Sequence, residues 1–283
     1  MAALVAVVIA LALTACGAPA PEPGPDRLPE DTEVSFVQLR SDVAARQAQV
    51  RIRNGTALPL IVGEIRVSDP RFDGDAERVV ARTSTIPPGS ATDIRVQLPA
   101  VACPAPAEPE TTVTVSFTWN GMDAVATEPL PDPLGFVPPL HERECRAAAL
   151  AEAADVAFAS FAPSDAGAPA VLELAVVPTG AGAARLTGIR ETNLLTFRMP
   201  GGEGGRWPLE VAVRPGETGP IAVPLRIIPA RCDPHAVMED KRGTVFWVEA
   251  VVDGEVSRID LAADEDLRGR LLTWVAHWCG YGS

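Results

Sequence analysis

Over most of this chain, apolar and polar residues alternate in short runs. From Ala48 to Arg53, Val50 and Ile52 fall on one side and Arg51 and Arg53 on the other, the period of a strand with one face buried. Similar runs predict strands over residues 34–37, 60–67, 79–81 and 94–98, then over 156–161, 171–177, 186–189, 207–213, 221–228, 245–252 and 256–261. Val113–Trp119 leads into Asn120-Gly121, and Val245–Val252 leads into Asp253-Gly254. Those two dipeptides accept the positive φ angles of tight hairpin turns. Many short strands separated by Gly and Pro turns predict an all-β chain of antiparallel sandwiches. The period changes clearly to a helical one near the end. There Asp264 is placed to cap a helix, Glu265 and Asp266 complement its dipole, and Leu267, Leu271, Trp274, Val275 and Trp278 share a face. The predicted helix ends at Cys279-Gly280 and packs as a short C-terminal element on the second sandwich.

The same marks come twice and in the same order. Pro88-Gly89 precedes Ile94, Val96, Leu98 and Cys103-Pro104; Pro215-Gly216 precedes Ile221, Val223, Leu225 and Cys232-Asp233-Pro234. A hairpin turn follows in each half, and Cys145 answers Cys279. This order predicts two tandem domains from an internal duplication, residues 34–150 and 151–283. They resemble the immunoglobulin-like class in outline only. In each, the paired cysteines fall in the second half of the domain, and Tyr281, the one tyrosine, stands at the terminus, so no tyrosine corner is available. Where the first copy should carry its helix, Pro138-Pro139 intervenes. That helix is expected to begin later, near Leu140, and to run through Ala147–Leu150 as a connector.

The first residues break the alternation. Ala2 to Ala12 is continuously apolar, and Leu13-Thr14-Ala15-Cys16 follows directly. A membrane-spanning helix needs about 20 apolar residues; this run ends at Thr14, with Pro19, Pro21 and Pro23 close behind. The segment resembles the signal peptide and lipobox of bacterial lipoproteins. That resemblance implies cleavage before Cys16, a diacylglycerol on its thiol, and an extracytoplasmic chain anchored to the cell membrane by lipid. Residues 1–15 are then the signal peptide. Residues 16–33, with Pro19, Pro21, Pro23, Pro25 and Pro29, form a semi-rigid spacer reaching up to about 50 Å. Such signals usually open with Lys or Arg, which Met1-Ala2-Ala3 lacks, so translation is expected to start further upstream.

Setting Cys16 aside for lipid leaves four of the five cysteines. An even number in an exported chain reads as disulfides, and four cysteines allow three pairings. The repeat chooses among them: Cys103 with Cys145 and Cys232 with Cys279, one bridge per domain.

Charge and chemistry narrow the functional classes. The formal net charge is −13, which argues against nucleic-acid partners and against docking on anionic headgroups. Cys232, His235, His277 and Cys279 have the residue types of a zinc site. The duplicated feature is the cysteine pair alone, however, with no histidine near Cys103, so bridges are expected. Asp69, Asp73, Asp75 and Glu77 offer oxygen ligands for calcium without its twelve-residue loop, and read as a solvated turn. Gly201–Gly205 reads as a flexible loop, and Asn54-Gly55-Thr56 as a turn. Serine-hydrolase, zinc-protease and penicillin-binding signatures are absent. No catalytic, cofactor or metal residue is assigned. The reading favours a lipid-anchored binding module whose partner is an envelope protein or wall polymer. An exported enzyme or metal carrier with a site between the domains is the alternative.

Overall fold

The computed structural model describes residues 26–43, 45–239, 242–252 and 254–281. The lipobox and most of the spacer lie outside these residues. Two compact units are present. Of the described residues, the first draws on those within 26–68, 75–98 and 111–131; the second takes those within 69–74, 99–110 and 132–281.

The first unit contains β1 (Thr32–Val37), β2 (Gln47–Asn54), β3 (Leu60–Ser68), β4 (Ala76–Arg78), β5 (Ser84–Ile86), β6 (Ala91–Gln97), β7 (Thr112–Trp119) and β8 (Met122–Pro129). Its strands run in the order β1-β2-β6-β4-β3-β7-β8, with β5 added to β3. The short β4 pairs with both β3 and β6 and so joins β1-β2-β6 to β3-β7-β8. Inward residues alternate as the sequence predicts, and Val50, Ile52, Val62, Val67, Val96, Val113 and Val115 are buried. The β7–β8 turn places Asn120 and Gly121 both at positive φ, 51° and 75°, the geometry that matches strand twist. One expected strand is absent: Val79 and Val80 follow β4 as an exposed bend.

The second unit opens with α1 (Val137–Ala153), which leads directly into β9 (Ala154–Ala162). Then come β10 (Ala170–Pro178), β11 (Ala184–Arg190), β12 (Leu195–Met199), β13 (Gly202–Gly204), β14 (Arg206–Val213), β15 (Ile221–Pro229), α2 (Pro234–Glu239), β16 (Val245–Val252), β17 (Glu255–Ala262) and α3 (Glu265–Trp278). They form two sheets, β13-β12-β15-β10-β9 and β14-β11-β16-β17. The plan matches the first unit: β9-β10-β15 repeats β1-β2-β6, and β11-β16-β17 repeats β3-β7-β8. All pairs are antiparallel. Between the sheets lie Leu172, Leu174, Leu186, Phe197, Leu225, Phe246 and Val248. The glycine-rich loop is ordered further than its composition suggests, because Gly202–Gly204 pairs with β12 as β13.

Helix α3 follows its sequence closely. The Asp264 carboxylate accepts a hydrogen bond from the Leu267 N–H at 2.8 Å, and Leu267, Leu271, Trp274 and Val275 are buried. Helix α1 departs from expectation. Pro138 and Pro139 lie within its first turn rather than before it. The first turn tolerates proline because its N–H groups have no intrahelical acceptor, and proline's fixed φ suits a helix start. The helix therefore begins at Val137, whose N–H donates to the Asp132 carboxylate at 2.9 Å.

Candidate functional site

Both expected disulfides are present, Cys103–Cys145 and Cys232–Cys279, with Cα separations of 5.8 and 5.3 Å. Each ties the segment preceding a central strand to the helix that follows the hairpin. Both bridges nonetheless lie in the second unit, since Pro99–Glu110 and α1 belong there. This corrects the expectation of one bridge per domain. The cysteine-bearing loop groups with α1 rather than with the strands on either side of it.

The Cys103–Cys145 bridge is not surrounded by inert groups. His141 and Cys145 are one turn apart on α1, a spacing that puts both side chains on one face. The His141 Nε2 is 3.3 Å from the Cys145 Sγ and 2.8 Å from the Ala102 carbonyl oxygen; Nδ1 stands 3.9 Å from the sulfur. A carbonyl only accepts, so the Ala102 contact assigns the proton to Nε2, and the sulfur is a second neighbour of that same nitrogen. No histidine is near Cys103 in the sequence, but the fold brings His141 to the bridge from the Cys145 side. The i, i+4 spacing of His141 and Cys145 was the signal available in the sequence. Ligand atoms of Cys103, His141 and Cys145 lie within 4.8 Å of one another, and this is the only such group among the described residues. Bonded to each other, the two sulfurs are not thiolate ligands.

The remaining sequence candidates do not converge. Cys232 and Cys279 are bonded to each other, and His235 and His277 are exposed. Asp69 is buried against Arg71, with Oδ2 2.7 Å from the guanidinium; Asp75 and Glu77 both face Arg66, at 3.6 and 3.4 Å. Arginines pair with these three carboxylates. Asn54 is buried, and its Nδ2 donates to the Leu58 and Ile86 carbonyls while Oδ1 accepts from the Thr56 N–H and hydroxyl. It ends β2, with its buried amide fully engaged in holding the turn that follows.

A second feature lies on the outer face of the β14-β11-β16-β17 sheet. Strand pairing slips between Leu186 and Gly188 on both sides of β11. The bulge changes the parity of the strand: Leu186 and Ile189 are both buried, and Arg190 turns outward. Arg190 and Arg206 then grip one carboxylate, with their Nε atoms 2.6 and 2.7 Å from the two oxygens of Glu249. Arg206 also donates to the Thr187 carbonyl at 2.7 Å. Its guanidinium occupies the space a side chain at Gly188 would need, within 2.5 Å of that position. The Arg190 bond chiefly, with Arg206 beside it and against the effect of burial, holds the Glu249 carboxyl below its ordinary range. Next to it Arg258 stacks 3.5 Å above the Trp247 ring, and Arg242 pairs with Asp260 at 2.8 Å. The face thus presents a preorganised fork of guanidinium groups beside an indole. Arg190 and Arg206 together answer the single carboxylate of Glu249, and Arg258 forms no ion pair among the described residues beside its stack on Trp247.

No family model matches the chain, and no curated protein matches it. Among solved structures it is similar to a red sea bream transglutaminase at 10% identity and a TM-score of 0.23, over 83% of this chain and 31% of that one. It is similar also to the YadV chaperone (14% identity, TM-score 0.22, 82% of this chain and 99% of that one). A third is the CupB2 chaperone of Pseudomonas aeruginosa (13% identity, TM-score 0.22, 78% and 94%). The chain spans under a third of the transglutaminase. Likeness this weak says nothing of activity, and the assignment of β-sandwiches stands on strand pairing alone.

Proposed function

We propose that this protein is a lipid-anchored extracytoplasmic binding module. Cys16 holds it at the membrane, and the outer face of β14-β11-β16-β17 recognises an anionic component of the cell envelope. Two disulfides support an oxidising compartment outside the cytoplasm. The lipobox-like Leu13–Cys16 and the proline-rich residues behind it support tethering and display. The observation that carries recognition is the Arg258–Trp247 stack beside the Arg190–Glu249–Arg206 fork. Planar guanidinium groups match carboxylate and phosphate geometry. Stacking and shared ion pairs fix the side chains in advance, which lowers the ordering cost of binding.

The test is crosslinking on intact cells through a photoreactive residue at Val251, on the same strand. A captured envelope component that disappears with Arg258→Glu and weakens with added salt supports the reading. Equal capture by the Arg258→Glu protein refutes it. A second reading, an exported protein acting through cysteine chemistry, is favoured by the imidazole against the Cys103–Cys145 bridge.

A further inference from the structure

We infer that the Cys103–Cys145 bridge is a thiol–disulfide exchange site, at which an external thiolate attacks Cys103 and His141 stabilises the departing Cys145 sulfur. The assignment rests on the asymmetry between the two sulfurs and between the two bridges.

Within the bridge, Cys103 is exposed and Cys145 half-buried on α1. An incoming thiolate therefore reaches the Cys103 sulfur first. Attack there forms a sulfur–sulfur bond to Cys103, breaks the Cys103–Cys145 bond, and leaves the electron pair on Cys145. Exchange runs faster when the leaving thiolate is stabilised, and hydrogen-bond donors or neighbouring cations do this. The His141 Nε2–H is already in place, 3.3 Å from the Cys145 Sγ. In the intact bridge the Ala102 carbonyl at 2.8 Å accepts the Nε2 proton, and the thiolate that forms on Cys145 competes with it for that one N–H. Ala102 also adjoins Cys103 in the chain, which holds the imidazole and both sulfurs in one locality. A second thiolate attacking the mixed disulfide then forms the external disulfide and releases Cys103. Two external thiols are oxidised and the bridge takes up their two electrons.

The second bridge shows the contrast. Its corresponding sulfur, on Cys279 at the C-cap of α3, faces the Arg231 carbonyl oxygen at 3.7 Å. A carbonyl oxygen presents negative potential and opposes a developing thiolate. Exposure does not distinguish the bridges, because Cys232 is exposed and Cys279 half-buried in the same way. The difference lies in the group against the leaving sulfur.

The external thiol is defined by its chemistry alone; a low-molecular thiol and a cysteine of an exported protein both supply it. The test treats the oxidised mature protein with dithiothreitol under limiting conditions. Freed thiols are blocked with iodoacetamide at intervals and located by peptide mapping. The Cys103–Cys145 bridge should open roughly ten times faster than Cys232–Cys279, because a better-stabilised leaving thiolate departs faster. His141→Ala should abolish that advantage and leave the rate of the second bridge unchanged. Loss of the fold would instead speed both. His141→Gln, which restores an N–H donor, should recover part of the rate. Equal opening of the two bridges in the parent, or undiminished opening in folded His141→Ala, overturns the assignment. Cys145→Ser leaves Cys103 to trap its partner on cells. A small-thiol adduct or a protein-mixed disulfide identifies the source, whereas a Cys103 that remains a free thiol overturns the inference.

Discussion

Trp274→Ala should destabilise the second unit by about 4 kcal/mol. Trp274 retains only 4% of its surface. Its ring meets Phe161 edge to face at 5.6 Å, and its Nε1–H donates to the Ser164 carbonyl at 3.0 Å. Truncation returns about 150 Å² of mostly apolar burial, which at about 25 cal/mol per Å² costs about 3 to 4 kcal/mol. The lost aromatic pair adds about 1 kcal/mol. Ser164 lies on an open loop beside a groove, so water can satisfy its carbonyl and that loss adds little. The sum falls in the usual range for removing a buried aromatic, about 3 to 5 kcal/mol. The assay is urea unfolding of the mature chain with both bridges intact, followed by circular dichroism. Trp274→Phe is the control: it keeps a ring against Phe161 and loses the indole donor, and should cost about 1 to 2 kcal/mol less than the alanine change. A loss below about 1 kcal/mol for Trp274→Ala, the scale of a surface substitution, would refute the packing of α3. The apolar stripe would then have to be a surface.

Other outcomes follow from the same physical reasoning. Cys16→Ser should release the protein from membranes into the soluble fraction, because anchoring rests on acyl chains; persistence after a carbonate wash would refute lipid attachment. Replacing Cys232 and Cys279 together by Ala should lower stability by about 4 kcal/mol, the chain-entropy value for cysteines 47 residues apart, read from urea midpoints. Asp264→Ala removes the cap of α3 and should cost about 1 kcal/mol in the same assay. Glu249 has its folded pKa lowered, so its contribution is present above the pKa of an unfolded glutamate and is lost as pH falls through the folded value. The stability gap between the parent and Glu249→Gln should therefore narrow on acidification. A gap that is constant across the carboxylate range would show that the fork does not hold Glu249 ionised. Gly188→Ala should displace Arg206 from Glu249 and weaken that pH dependence without abolishing it, because the Arg190 bond, the larger cause, remains.

Much of this architecture is legible residue by residue. Alternation along residues 48–53 and 245–252 marks strands because the side-chain period of an extended chain is two. Asn120-Gly121 marks a hairpin because few residues accept positive φ twice in succession. Asp264 and the stripe from Leu267 to Trp278 mark α3 because a cap and a 3.6-residue period are local properties. The cysteine partners, although far apart in sequence, are readable through the repeated order of marks, which the two units match in strand order. Local rules also misled. Pro138-Pro139 looked like a barrier to α1, and Gly201–Gly205 looked like a loop. Proline costs a helix nothing where there is no hydrogen bond to lose, and glycine enters a strand when a neighbour such as β12 supplies the pairing.

The sequence by itself determined the kinds of element, the two hairpins, the α3 core face and the pairing of the bridges, because each follows from short-range periodicity or from internal repetition. Tertiary structure alone decided which polar groups meet. Strict alternation would carry Arg190 to the same side of the sheet as Leu186. The bulge at Thr187 reverses it, and the register then brings Arg190, Arg206 and Glu249 together from three strands. Likewise, the environment of Cys145 depends on the Ala102 carbonyl, 39 residues from His141 in sequence. Such meetings depend on strand register and on the docking of a helix against a distant loop. Both are fixed by burial of the whole core, and no short window of residues contains that information.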